Sequence, residues 1–318
     1  MRFVQETIKQ LYEIIEKAAL SCTAQHLSFS GGLDSTILAY LLKDRKINAI
    51  SIISKDFVAN DLTYCQLAAQ KFGLPLQIKM CETTEIYNGI EETIKILKNF
   101  NDIEIRNNVV VYLAIDEIKK SGFDRIITGD GADEIFAGYS FLLNKNKDEL
   151  ERDLKRIARI MHFPSQKIGK SLGVTVESPF CDKSVMDFAK TIPTDLLVRQ
   201  ENDKKFGKWI LRKAFEDMIP KSIVWRTKSP MQEGAGTQGL TEFFEISIPD
   251  NVFSEKTKKI KEKDGITIRT KESLQYYEIY RSNFEAPVFD GSGAQCPDCH
   301  YKIDEDSRFC RMCGRFPV

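Results

Sequence analysis

The chain has no excess of charge of either sign: 46 basic and 46 acidic residues leave a formal net charge of zero. A globally basic surface for a nucleic-acid backbone is therefore excluded, and a contact of that kind would have to be local. Long apolar runs are missing too. The hydrophobic stretches fall well short of the roughly 20 residues that cross a bilayer. Glu6, Lys9 and Glu13 also interrupt the N-terminal pattern where a secretion signal would be apolar. Internal repeats and low-complexity tracts are absent, which excludes solenoids and polar arrays. What remains is a chain of 318 residues with 42% hydrophobic and 29% charged content. That composition predicts a soluble, cytoplasmic globular protein with length for one large domain and an appendage.

Short strand candidates alternate with longer helix candidates, as parallel α/β sheets require. Strands are predicted at 26–30, 48–54, 76–80 and 125–128. Helices are predicted at 35–46, 61–72, 84–99 and 107–121, with Gly73 and Gly122 as C-cap signals. Phe3, Val4, Ile8, Leu11, Tyr12, Ile14, Ile15 and Ala18 recur at helical spacing and predict an amphipathic helix within 1–24. From 145 to 220 the pattern reads as mainly helical.

Between the first strand and helix stand Ser30, Gly31, Gly32, Leu33, Asp34 and Ser35. Adjacent glycines let main-chain amides approach an anion closely, and the following helix N-terminus adds partial positive charge. Ser30 and Ser35 can donate to phosphate oxygens, while Asp34 can hold Mg²⁺. The plainer reading is a glycine turn with a capping residue, to which a six-residue string of this composition is less suited. The common Lys-containing P-loop pattern is not present here.

A second string, Gly129 to Tyr139, follows the apolar run at 125–128 and places Asp130, Asp133 and Glu134 within five residues. Such crowding calls for a cation, either Mg²⁺ or ammonium, or for a raised carboxyl pKa that would make one of them a base. A solvated acidic turn capping the next helix is the bland alternative. Both strings fall just after strand C-termini, where open α/β sheets bind ligands.

The first string resembles the pyrophosphate loop of the ATP pyrophosphatases, which cleave ATP between its α and β phosphates. The second resembles the asparagine synthetases within that superfamily. Ile105-Arg106, Glu177 to Asp182, Lys205 to Arg212 and Pro220 to Lys228 resemble further segments of the synthetase domain and occur in the same order. The resemblance implies an adenine nucleotide alpha hydrolase-like parallel-sheet domain with a helical second half. It implies that Ser30 to Ser35 and Lys228 hold the β and γ phosphates, with Gly129 beside them. Asp34 with Asp133 or Asp182 would hold Mg²⁺, Asp130 would serve as base or ammonium site, and Arg106 would belong to the catalytic set. A carboxylate would be adenylated and then converted to an amide by ammonia, releasing AMP and pyrophosphate.

Departures stand beside the matches. Asp130 replaces a frequent Glu, Cys181 stands where Leu is usual, and Ser229-Pro230-Met231 follows the lysine. ATP use is thus better supported than aspartate as the substrate. Asparagine synthetases of the usual kind begin with a glutaminase domain whose nucleophile is an N-terminal cysteine, whereas here Arg2 follows Met1. Ammonia is accordingly expected to be free or delivered by a separate glutaminase subunit. Two other classes stay open: an adenylating sulfur transferase acting on tRNA, and a non-catalytic nucleotide-binding scaffold.

Ala286-Pro287 and Asp290 to Gly293 read as a linker, giving expected segments 1–24, 25–285, 286–295 and 296–318. The last holds Cys296, Cys299, Cys310 and Cys313, two C-x2-C knuckles separated by ten residues. That spacing resembles a zinc ribbon, with structural zinc supplying folding energy to a segment too short for its own core. Disulfides, and iron in a four-thiolate site, are the alternatives. The ribbon is expected to contact protein or RNA, and His300 to be a spare neighbour. Cys65 reads as a core residue and Cys181 as packing before chemistry, since no His partner is evident. Lys256, Lys258, Lys259, Lys261 and Lys263 alternate with Glu255 and Glu262 and read as a solvated charged face.

Overall fold

Short apolar runs followed by longer amphipathic stretches become, in a computed structural model, strands and helices that alternate over the first half of the chain, except that two helices follow in succession between the third and fourth strands. The structure describes residues 2–318 other than Asn202, Asp290 and Ser292. Met1 of the expected first segment, and Asp290 and Ser292 of the expected linker, lie outside the described residues.

The sheet comprises β1 (His26–Ser28), β2 (Asn48–Ser54), β3 (Leu76–Cys81), β4 (Arg125–Ile127) and β5 (Thr175–Glu177), in the order β3-β2-β1-β4-β5. β1 pairs in parallel with both β2 and β4, and β4 pairs in parallel with β5. The order reverses between β1 and β4, so a crevice opens beyond the C-terminal ends of those two strands. The helices that alternate with them are α1 (Arg2–Ser21), α2 (Leu33–Leu42), α3 (Leu62–Phe72), α4 (Thr83–Leu97) and α5 (Asp102–Lys120).

Several boundaries differ from the sequence expectation. β1 stops at Ser28 because the following residues turn into the glycine loop. α2 ends at Leu42 in a 3-10 turn, Lys43–Arg45, and α5 begins at Asp102, five residues before the expected start. The second half is less purely helical than its pattern suggests. It contributes β5 and an antiparallel hairpin, β6 (Arg199–Glu201) with β7 (Lys204–Phe206). A strand of three residues is too short to show a period of two, so β5 left no pattern to read. Its last residue, Glu177, accepts hydrogen bonds from the Thr23 amide and hydroxyl, both at 2.7 Å, and pairs with Arg125 at 3.2 Å. Gly73 and Gly122 do terminate their helices in the left-handed region, at φ 63° and 85°.

The chain divides into two compact units. The first is formed by Met1–Ile52, Asn60–Lys79 and Ala114–Pro230, the second by Ile53–Ala59, Met80–Leu113 and Met231–Val318. In the first, α1 buries Leu11, Ile15, Ala18 and Ala19 into a core shared with Leu27, Ile37, Leu38, Phe136, Phe180 and Phe215. Phe3, expected on that apolar face, is 64% exposed. Cys65 is fully buried and its thiol lies 3.1 Å from the Ser51 hydroxyl, as a core residue should be placed. In the second unit, Phe100 packs edge-on against Tyr277, and the α5 residue Arg106 is buried in an ion pair with Glu272 at 3.4 Å. Lys256 pairs with Glu278 and Lys259 with Glu255, so the basic face of helix Asp250–Asp264 is in large part internally neutralised.

Asp61, at the N-terminus of α3, makes no capping bond and turns instead to Arg226, 3.1 Å away. The guanidinium also lies 3.7 Å above the Tyr64 ring. Burial pushes the Asp61 carboxyl up from 3.8 to about 6 against the pull of Arg226. A folded pKa above the unfolded one means that the protonated form favours the fold. The contribution is therefore full below the ordinary carboxylate pKa and is lost as pH rises through about 6. Relative to the native chain, Asp61→Asn is expected to gain roughly 1–3 kcal/mol as pH rises from about 4 to about 7.5. Urea denaturation at several pH values measures it; a difference independent of pH would contradict the assignment.

Candidate active site

The loop after β1 is shaped by a steric requirement. Gly31 has φ 65° and faces the main chain of α3, where a Cβ would stand 2.5 Å from the Cys65 amide nitrogen. Only glycine fits there. The Ser30 and Ser35 hydroxyls lie 3.2 Å apart, Gly32 donates its amide to Ser30 Oγ, and Ser35 Oγ donates to the Gly32 carbonyl. Thr36 then donates to the Gly32 carbonyl at 3.0 Å, which starts the ten-residue α2 with Asp34 in its first turn. Leu33 packs toward the core and anchors that turn. Two hydroxyls and a helix N-terminus thus converge where an anion can be bound.

The second string is held against the first. A Cβ on Gly129 would stand 3.3 Å from Asp34 Cβ, so the end of β4 and the start of α2 are in contact. Between their carboxylates lies Lys208. Its Nζ is 2.6 Å from Asp34 Oδ2 and 2.7 Å from Asp133 Oδ1, and its side chain is 4% exposed. Lys228 takes the other Asp133 oxygen at 2.8 Å and stands over the Tyr139 ring at 4.7 Å. The Tyr139 hydroxyl in turn donates to Glu134 at 2.5 Å.

Local backbone explains how Lys208 arrives. The β6–β7 hairpin delivers it in the left-handed region, φ 55°, where its amide donates to the Phe136 carbonyl at 2.9 Å. A Cβ on Gly207 would collide with the Ala137 carbonyl, and one on Gly138 with Asp133 and the Lys208 stem. Arg212, one turn on and buried, donates to the carbonyls of Gly207, Val224 and Arg226. It thereby ties the segment carrying Lys208 to the segment carrying Lys228. Burial pushes this guanidinium down to about 10, against the attraction of Asp34 and Asp133.

Protonation follows from the same contacts. Burial raises Asp34 in spite of Lys208. Asp133 is also buried, but Lys208 and Lys228 together hold it well below the usual carboxylate range. Lys208 is raised by the two carboxylates against the opposing effect of burial. Among the described residues no cation pairs with Asp130; burial raises it, while Ser165 and Thr128 donate to Oδ2 at 2.5 and 2.8 Å. Asp34 Oδ1 is buried without a hydrogen-bond partner among the described residues. An oxygen left this way suits a hard cation, which binds carboxylates.

Ser30 to Ser35, Gly129, Asp133 and Lys228 are thus gathered, with Asp130 close behind them. Asp182 is not directed there: it is exposed and caps the helix Lys183–Ala189 by accepting from the Ser184 amide and hydroxyl. Arg106 belongs to the second unit, engaged by Glu272 and Thr241. Cys181 supports the turn, its thiol 3.4 Å from the Asp130 carbonyl and pushed up to about 12 by burial, which suits packing rather than nucleophilic attack. Lys208 and Arg212 were not singled out by sequence reasoning, although both lie in the string Lys205 to Arg212. A Gly-Lys pair ahead of an apolar run was the available signal.

In the second unit the Sγ atoms of Cys296, Cys299, Cys310 and Cys313 all lie within 4.8 Å of one another, with Cys296 to Cys313 at 3.7 Å and Cys299 to Cys310 at 3.5 Å. A tetrahedral thiolate set at 2.3 Å from zinc has edges of about 3.8 Å, so the four sulfurs fit such an ion. His300 points away and meets the Gly265 carbonyl at 3.1 Å. The ribbon is joined to the rest of its unit by main-chain bonds from Phe100 to Met312 and from Thr267 to Asp298.

The family model described as asparagine synthase matches residues 25–152 and 144–266. A probable glutamine-hydrolysing asparagine synthetase of Dictyostelium discoideum is 28% identical over 323 residues, covering 89% of this chain and 56% of that protein. The glutamine-hydrolysing asparagine synthetase B of Escherichia coli (strain K12) is 25% identical, covering 92% of this chain and 55% of its own length. The chain therefore spans about half the length of these relatives. A solved structure described as a predicted subunit of tRNA methyltransferase from Methanocaldococcus jannaschii is 15% identical, with a TM-score of 0.27, covering 65% of this chain and 90% of that one. That likeness is too slight to bear on the fold or the chemistry. The family match runs through the glycine loop and the acidic turn and on past Lys228, and by it the chain belongs to the asparagine synthase family.

Proposed function

We propose that this protein is an ATP-dependent amide ligase that adenylates a small carboxylate, aspartate or an analogue, and transfers ammonia to it, releasing AMP and pyrophosphate. The observation that carries the reading is the convergence of Asp34, Asp133, Lys208 and Lys228 at the mouth of a glycine loop. Ser30, Ser35 and the loop amides bind the terminal phosphates of ATP, and Lys228, part-exposed and lightly held, reaches them. Asp34 and Asp133 would hold Mg²⁺, for which the unpartnered Asp34 oxygen is the fitting donor. When bound, the ion neutralises charge on the phosphates. The carboxylate oxygen attacks the α-phosphorus as the bond to pyrophosphate breaks, and fixed donors stabilise the departing charge. Ammonia then attacks the acyl carbon, AMP leaves, and Asp130 holds the incoming ammonium or takes the released proton. Its burial-raised pKa suits a base working closer to neutrality. Nitrogen comes as free ammonia or from a separate glutaminase.

The reading places the enzyme in the cytoplasm; among the described residues no helix is long and apolar enough to cross a membrane. On Asp250–Asp264, Lys256, Lys258 and Lys259 already pair with Glu278, Glu262 and Glu255, which favours a small-molecule substrate over tRNA. The four cysteines hold one structural zinc.

Pyrophosphate release measured with aspartate and other acids, with and without ammonium, tests the reaction directly. Asp34→Ala is expected to abolish AMP formation, and an unchanged rate would remove it from the site. Lys228→Met is expected to lower kcat by about 10²–10³-fold, as for other donors aimed at developing charge. Metal analysis should find one zinc per chain, and Cys299→Ser should lower Tm by several degrees. A metal-free preparation with an unaltered melt would refute the structural role.

A further inference from the structure

We propose that Lys208 is a built-in counter-ion standing where a divalent cation would sit, so that metal enters the site only together with a polyphosphate. The inference rests on the nucleotide-binding reading given above.

Lys208 Nζ occupies one oxygen of each carboxylate at once, Asp34 Oδ2 at 2.6 Å and Asp133 Oδ1 at 2.7 Å. Lys228 holds the second Asp133 oxygen at 2.8 Å. Three of the four carboxylate oxygens therefore already lie within ion-pair distance of an ammonium group, whereas Asp34 Oδ1 has neither an ion-pair nor a hydrogen-bond partner among the described residues. Two carboxylates and two ammonium groups sum to no net charge. A bare dication arriving there meets like charge from both lysines, in a place where the Lys208 side chain is almost wholly removed from water. Lys208 cannot simply withdraw. Its backbone is fixed in the left-handed region by the bond to Phe136, and its stem passes against Gly138.

A triphosphate changes the balance in two ways. It brings negative charge that offsets the metal, and its oxygens offer Lys228 a new partner, freeing the Asp133 oxygen that Lys228 holds for the cation. Asp34 Oδ1, free from the start, is the first foothold. Lys208 thus acts through the carboxylates as a positioning group, and it sets the order of entry.

The test is Mn²⁺ binding to the full chain, followed by the loss of the free-ion electron paramagnetic resonance signal. Native protein is titrated alone and with α,β-methylene ATP, the analogue by itself serving as control. Native protein alone should bind Mn²⁺ about tenfold or more weakly than the protein–analogue complex. Lys208→Gln without nucleotide should bind Mn²⁺ about tenfold or more tightly than native protein, and adding Asp34→Asn should remove the gain. Equal affinity of native protein with and without the analogue overturns the proposal, as does a Lys208→Gln variant that gains nothing. If Lys208→Gln does not fold, the native comparison decides alone. Equilibrium dialysis of the analogue separates the two readings. A chain that binds no nucleotide defeats the proposed function and the order of entry with it, whereas the counter-ion role is read independently from Lys208→Gln and bare Mn²⁺.

Discussion

The buried ion triad of Asp34, Lys208 and Asp133 is the constraint around which the first unit is arranged. Two carboxylates this close are tolerable away from water only with a cation between them, and a buried ammonium is tolerable only when its donors are met. The demand propagates into the backbone. To bring an ammonium from position 208 between residues 34 and 133, the chain accepts left-handed conformations at Ala137 and Lys208 and requires glycine at 138 and 207. The glycines of the acidic turn therefore serve two ends: Gly131 bends the turn, and Gly138 leaves room for a lysine from elsewhere.

Around the triad the polar groups are graded by exposure. Arg212, buried and bonded to three carbonyls, fixes the two segments that supply the lysines. Lys228, with more solvent and fewer bonds, is the group able to change partners. Among the described residues the Asp130 carboxylate is bonded by the neutral hydroxyls of Thr128 and Ser165 and pairs with no cation, and so differs from Asp133 three residues on in the direction of its pKa shift. Environment, not residue type, separates an anchor from a candidate base.

The second unit uses charge for assembly. Arg106 and Glu272 form a buried pair that also recruits Thr241 and Tyr276. Asp298, within the first cysteine knuckle, binds Arg269 while its carbonyl accepts from Thr267. The ribbon is in this way integrated with the rest of its unit through main-chain bonds and the Asp298–Arg269 ion pair.

Much of this was legible in one dimension. Alternating apolar periods predicted β2, β3, α3 and α4 to within a residue or two, because each is long enough to display its period. The glycine loop and the paired knuckles were readable because their chemistry depends on near neighbours, whose spacing the chain itself carries. β5 was not readable: three residues become a strand only because β4 offers an edge, and Glu177 finds its partners at Thr23 and Arg125. Nor did spacing reveal that Asp182 would cap a helix while Asp133 shared an ammonium, since both are aspartates in short acidic contexts. By itself the sequence determined the elements, the anion loop and the sulfur ligands, all local matters of dihedral preference and adjacency. Tertiary structure alone decided strand order, the arrival of Lys208, and which carboxylates keep company. Those outcomes depend on desolvation and on charges brought together across more than a hundred residues, which no local spacing records.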